Sequence, residues 1–258
     1  MQVVQKRTAV DYYYLITTIA IKSLKVRYKN SILGFMWSFL TPLLYLAIFT
    51  FVFSQVFPDI DNYPLYALTG LIFWTFFSST TAQLTNSIVE SSGVLKSINI
   101  PPIAYPAGTL IAQFINLMLT LLPFTVLMYA FGFRPQWSTL VLIPAMLFFA
   151  VFTYGLGLII AAFNVYFRDV GFIWQVLTPA LFYSTPIAFS SKWIPEQYLW
   201  ILKFNPLFHF IELFRAILYY GTWGTALNWG VVAGISLAFL GLGYLFFKKL
   251  EPGFISNY

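Results

Sequence analysis

Pro135 to Phe167, PQWSTLVLIPAMLFFAVFTYGLGLIIAAFNVYF, contains no Asp, Glu, Lys, Arg or His. A helix rising about 1.5 Å per residue needs about 20 residues to cross roughly 30 Å of hydrocarbon, and this run is longer than that. Its apolar residues come in solid blocks, without the alternation that a barrel strand carries. The stretch reads as a membrane-spanning helix. Five more such runs flank it, at Asn30 to Pro58, Asn62 to Val89, Ser97 to Phe133, Val170 to Ser191 and Ala216 to Phe247. The expected spans are Ile32 to Phe57, Leu65 to Val89, Ala107 to Phe131, Leu140 to Phe163, Phe172 to Phe189 and Leu227 to Phe247.

Over the 258 residues, 60% are hydrophobic and 9% charged, where a soluble domain carries about 25% charged residues. An all-α integral membrane protein is therefore expected, with all 258 residues in one membrane domain. The absence of cysteine excludes disulfides, thiolate metal sites and cysteine nucleophiles, and a single histidine excludes a multi-histidine metal site. Of the fourteen Lys and Arg residues, only Arg134, Lys192, Lys203 and Arg215 fall on one side of the alternating spans. The basic majority marks the cytoplasmic side, so both termini are expected there. No segment supplies the basic stripe that a nucleic-acid surface needs. The first apolar run starts too late and runs too long for a cleavable signal, so the N-terminus is expected to stay.

Residues 1–30 are expected to form an amphipathic helix along the cytoplasmic leaflet, with Asp11, Thr18, Lys22, Lys25 and Lys29 on one face and Tyr13, Ile16, Ala20 and Leu24 opposite. Arg27 falls on the apolar face. It is read either as an arginine snorkelling to lipid phosphates or as a contact to a diphosphate-bearing substrate. Residues 190–225 are too apolar for a loop. Two short helical patterns, Glu196 to Phe204 and Leu207 to Tyr220, are split by Asn205-Pro206, because proline blocks helix continuation. They are read as a re-entrant outer pair, tolerated if packed on protein, or as an amphipathic cap.

All eight acids sit at span ends or outside the spans, so the mid-membrane protonatable group of an ion-coupled carrier is missing. Asp59 with Asp61 is the only close acidic pair and reads as a solvated outer turn, which disfavours intramembrane catalysis with magnesium. No glycine precedes a lysine, so there is no P-loop and energy must come from another polypeptide. Uncharged polar stripes remain: Ser38, Thr41 and Tyr45; Thr109, Gln113, Asn116 and Thr120; Gln175, Thr178, Phe182 and Thr185. They serve helix packing or line a wet path. Gly157 with Ala161, and Gly230 with Gly234, offer small faces for helix contact. The 29 Phe, 17 Tyr and 8 Trp exceed what interfacial belts need, and ring faces can stack on pyranose C–H groups as aromatic platforms do on bases.

An ordered set of motifs runs along the chain: Arg27-Tyr28-Lys29, Leu33-Gly34, Trp37 and Pro42; Leu95-Lys96-Ser97-Ile98-Asn99-Ile100-Pro101 and Pro106; Asn164 through Val170; Thr185-Pro186-Ile187; Pro195, Asn205-Pro206 and Arg215. The set resembles the membrane subunit of ABC transporters that export polysaccharides, the O-antigen permeases above all, with capsule and teichoic acid permeases as near relatives. The resemblance implies a homodimeric, non-enzymatic permease in the bacterial inner membrane that docks two copies of a separate ATPase, which binds the ATP and Mg. It implies a coupling helix at about residues 90–105, with Val94, Leu95, Lys96, Ile98 and Ile100 as contacts, and Arg168 with Asp169 as a second contact or local ion pair. The implied substrate is a glycan on undecaprenyl diphosphate. Arg27 would receive its diphosphate, Ser38, Tyr45, Phe49, Trp174, Gln175, Phe182 and Tyr183 would line the channel, and the outer pair would gate its exit. Other readings are export of teichoic acid, capsule or another lipid-linked glycan, or a non-transporting subunit of a glycan-synthesis complex.

Overall fold

The computed structural model describes residues 9–29, 31–53, 56–57, 60–97 and 100–257. Among these the fold is all helical, with no strand. In chain order the helices are α1 Ala9–Tyr28, α2 Trp37–Phe53, α3 Tyr63–Glu90, α4 Ser92–Ser97, α5 Ala104–Ala130, α6 Leu142–Tyr166, α7 Asp169–Ser184, α8 Leu199–Phe204, α9 Pro206–Leu218, α10 Ala226–Leu250 and α11 Phe254–Asn257. Three segments are long and apolar enough to cross a membrane: Ala104–Ala130, Trp137–Tyr166 and Ala226–Gly253.

α3 is the centre of the bundle, packed by α2, α5, α6, α7 and α9. It is also the most hydroxyl-rich of the long helices, and its position explains why that is tolerated. Thr69, Thr75, Thr81 and Thr85 each donate to the carbonyl four residues back, at 2.7–2.9 Å, so little polar demand reaches the apolar surroundings. Around it Phe73, Phe77, Phe149, Phe152, Phe210 and Phe214 are fully buried, with Phe73 stacked on Phe214 at 3.5 Å between ring centres. Much of the phenylalanine excess is thus spent on the core of one chain rather than on a sugar path. Lipid tails compete equally for apolar surface, so close packing of this kind holds the bundle together.

Glycines set the closest approaches. α6 and α10 meet backbone to backbone, where a Cβ added at Gly243 would fall on the Gly155 carbonyl. α1 lies on α5, and a Cβ at Gly108 would stand 2.6 Å from Ile19 Cγ2. Gly157 presses on Leu84 as expected of a small face, whereas Gly230 and Gly234 face open space in the single chain. The Gly155–Gly243 contact went unread because its two glycines lie on different helices.

Two expected spans draw in by five residues at one end. α2 starts at Trp37 instead of Ile32, after Gly34 at φ +45° and a 3₁₀ turn at Gly34–Met36. α7 stops at Ser184 instead of Phe189, because Pro186 forces Thr185 into an extended conformation at φ −103°, ψ 131°. The 17 and 16 described residues of α2 and α7 cover about 26 and 24 Å. In α1 the buried stripe includes Ala20, with Ile16 and Leu24 half-buried and Lys22, Lys25 and Lys29 exposed, while Tyr13 is exposed against expectation.

Candidate functional site

The polar stripe of α5 comes together with Arg27. Arg27 Nη1 donates to Gln113 Oε1 at 2.7 Å, and Ser79 Oγ lies 3.4 Å from the same oxygen. Gln113 is buried, so one guanidinium edge is held by a fixed amide while the other donors have no partner among the described residues. A cavity of about 190 Å³ opens here between α1, α2, α3 and α5, and its polar wall includes Arg27, Thr41, Thr75, Ser79, Asn116 and Thr120. A guanidinium oriented from behind, among hydroxyls with free lone pairs, suits a phosphate oxygen followed by a polyhydroxylated group. Sequence reading placed Arg27 alone and left the α5 stripe between helix packing and a wet path. What it missed was that Gln113 on α5 and Ser79 on α3 face the same point.

The residues expected to line a channel separate into groups. Phe182 packs edge-on to Phe49 at 6.0 Å, to Trp74 at 5.2 Å and to Tyr183 at 5.3 Å. Tyr45 and Tyr183 are exposed. Trp74, on α3, is a member of this ring group that the sequence did not single out. Trp174 is placed otherwise: it is buried, and its Nε1 donates to Thr81 Oγ1 at 3.0 Å, so its ring pins α7 to α3. Gln175 is exposed and lines a separate hollow of about 190 Å³ with Asn86, Asn164 and Arg168. Arg168 and Asp169 make no ion pair among the described residues. The Ser38 side chain lies outside the described residues.

The expected coupling segment contains α4, a helix of six residues. Val94 and Lys96 are exposed, but Leu95 turns inward onto Ile88, Leu158, Val165, Phe247 and Phe254. Its spacing allows either direction, and the buried ring of Phe254 from the C-terminal helix, 5.3 Å from Phe247, completes the pocket that takes it. Ile100 packs half-buried against the same cluster, and Ile98 lies outside the described residues.

At the other end of α3 stands a site that sequence reading counted only as a basic residue and motif member. Arg215 on α9 is fully buried. It donates to the Pro186 carbonyl at 2.5 Å and the Ile187 carbonyl at 2.6 Å, lies 3.4 Å from Glu212 and sits 3.7 Å over the Tyr66 ring. Tyr63 and Tyr66 donate to the next two carbonyls, Ala188 and Phe189. Asn205 caps α9 through the Leu207 amide and donates to Thr185 Oγ1 at 2.9 Å. The segment after α7 therefore has its carbonyls satisfied one by one, as non-helical backbone in a membrane protein requires. α9 packs on protein along Leu207, Phe210, Ile211 and Phe214, while α8 leaves Trp200, Ile201 and Phe204 exposed.

Residues 14–219 match the family model described as ABC-2 type transporter. The chain is 32% identical to the O-antigen export system permease protein RfbA of Klebsiella pneumoniae, over 93% of each chain. It is 29% identical to the protein of the same name from Myxococcus xanthus over 83% of each. It is 24% identical to the polysialic acid transport protein KpsM of Escherichia coli, over 94% of this chain and 95% of the relative. With its helices, its long uncharged runs and the Arg27 cavity already in place, the chain belongs to the ABC-2 type transporter family.

Proposed function

We propose that this chain is the permease subunit of an ATP-driven exporter that moves a lipid-linked polysaccharide, of the O-antigen kind, from the cytoplasmic to the outer side of the inner membrane. The observation that carries the reading is the 32% identity to an O-antigen export permease along 93% of both chains. Capsule or another lipid-linked glycan is the second cargo class, favoured by the likeness to the polysialic acid transporter over nearly the full length.

In this reading α2, α3, α5, α6, α7 and α10 are the six spans, and both termini face the cytoplasm. Two copies form the conduit, and two ATPase subunits bind ATP and Mg and do the hydrolysis. The diphosphate loads at Arg27, with the α5 stripe receiving the first sugar. Tyr45, Phe49, Phe182 and Tyr183 offer ring surfaces along which a chain can slide, with Gln175 nearer the cytoplasmic side. Val94 and Lys96 on α4 meet the ATPase. α8 and α9 gate the outer end.

Removing the chain from its cell tests the proposal. Surface glycan should disappear while lipid-linked glycan accumulates in the inner membrane, and supplying the chain should reverse both. Unchanged surface glycan would refute the reading.

A further inference from the structure

A cup of about 390 Å³ opens beside the Arg215 site, at the Tyr63 end of α3, and Asp61, Ser190, Lys192, Trp193, Tyr219 and Tyr220 contribute to it. They come from the turn before α3, the stretch after α7 and the end of α9, so only the folded chain assembles them. The volume falls within the range of small-molecule sites, about 300–1,000 Å³.

Its walls are fixed. The Tyr219 ring meets Tyr66 edge-on at 5.3 Å, stacks on Phe133 at 5.8 Å and meets Tyr220 edge-on at 4.9 Å. Its hydroxyl donates to the Asp61 carbonyl, tying down the turn. Burial pushes the Tyr219 hydroxyl up to about 12, so it stays protonated and keeps that bond at physiological pH. Trp193 is braced by Phe57 at 5.2 Å. The two mouth rings nonetheless stay open, Trp193 at 49% and Tyr220 at 53% exposure, unlike the fully buried rings of the core.

The polar groups decide the ligand class. Asp61 offers a carboxylate acceptor, Lys192 an ammonium donor, and Ser190 a hydroxyl that does both. Neither Asp61 nor Lys192 is ion-paired among the described residues. Sugar hydroxyls both donate and accept, so acid, amine and hydroxyl around an aromatic wall match a pyranose. A phosphate would meet one cation and the repulsion of Asp61.

We infer that this cup binds one pyranose unit of the exported glycan, its C–H face on Tyr220 or Trp193 and its hydroxyls on Asp61, Ser190 and Lys192. The inference rests on the export reading above and adds to it a sugar subsite separate from the Arg27 cavity. A sugar held there after passage would oppose backsliding of the chain.

Saturation-transfer NMR on the full-length chain in lipid nanodiscs tests the site. The probes are oligosaccharides of mannose, galactose and rhamnose, with inorganic phosphate as competitor. Transfer to ring protons of at least one sugar is expected. It should fall about tenfold in Tyr220→Ala, the size of effect seen when a stacking ring is removed, and about tenfold in Asp61→Asn, which weakens a hydrogen bond to a charged acceptor. Tyr244→Ala, on exposed α10 surface, should leave it unchanged. No transfer to any of the three sugars, transfer at the wild-type level in both cup variants, or displacement of the sugar by phosphate would overturn the site. Surface glycan restored by the wild-type chain is read in parallel: restored export without sugar transfer removes the cup and leaves the exporter standing. Failed restoration removes the exporter reading itself.

Discussion

Arg215 is a fully buried charge, held by two carbonyls, Glu212 and a tyrosine ring. Replacing it with methionine would retain the volume and strip the donors from Pro186 and Ile187. Each buried acceptor left unmade costs about 1–3 kcal/mol, so Arg215→Met should lower unfolding free energy in mixed micelles by about 2 kcal/mol or more. It should also expose residues 185–205 to protease. Unchanged protease resistance would mean that the backbone is held by something else. Arg27 works in the opposite setting, an exposed side chain on the α5-facing side of α1 that reaches one buried amide. A charge-assisted hydrogen bond contributes about 1.5–3 kcal/mol, so Arg27→Ala should slow loading of lipid-linked glycan about tenfold or more. Lys25→Ala, on the exposed lysine face, should change it little, and equal effects would reduce Arg27 to a lipid contact. That Arg27 departs from the exposed lysine face was readable from its place on the wheel, while its Gln113 partner, 86 positions away, was not.

At the scale of helices, backbone contact and facing direction decide more than composition does. Gly243→Ala should force α6 and α10 apart and cost about 1–3 kcal/mol as overpacking. Gly234→Ala, which meets nothing in the single chain, should shift stability by less than about 0.5 kcal/mol; the same micelle titration reads both, and similar losses would place Gly234 in a helix contact of its own. For α4, Val94→Asp with Lys96→Glu should abolish co-purification of the ATPase without lowering permease yield, and retained co-purification would move the docking site elsewhere. Leu95→Asp should lower the yield itself, because Leu95 is inside the chain. Long uncharged runs made the long helices legible, since bilayer thickness and helix rise fix their length. The stop of α7 was signalled by Pro186 but masked by the apolar residues beyond it. The inward turn of Leu95 was not legible, because the cluster that receives it is closed by Phe247 and Phe254 from the far end of the chain.

As a whole, the proposed exporter is a conduit driven from outside, with acids at span ends or beyond the spans, a guanidinium cavity beside the middle of α3, open rings at the Tyr63 end of α3, and hydrolysis left to a partner. The direct measurement is glycan transfer in sealed vesicles holding the chain, its P-loop ATPase and a fluorescent lipid-linked oligosaccharide, read by accessibility to a glycosidase on the far side. Transfer should require both ATPase and ATP and should stop when the P-loop lysine of the ATPase is replaced. Transfer at full rate by this chain alone, without ATP, would contradict the account.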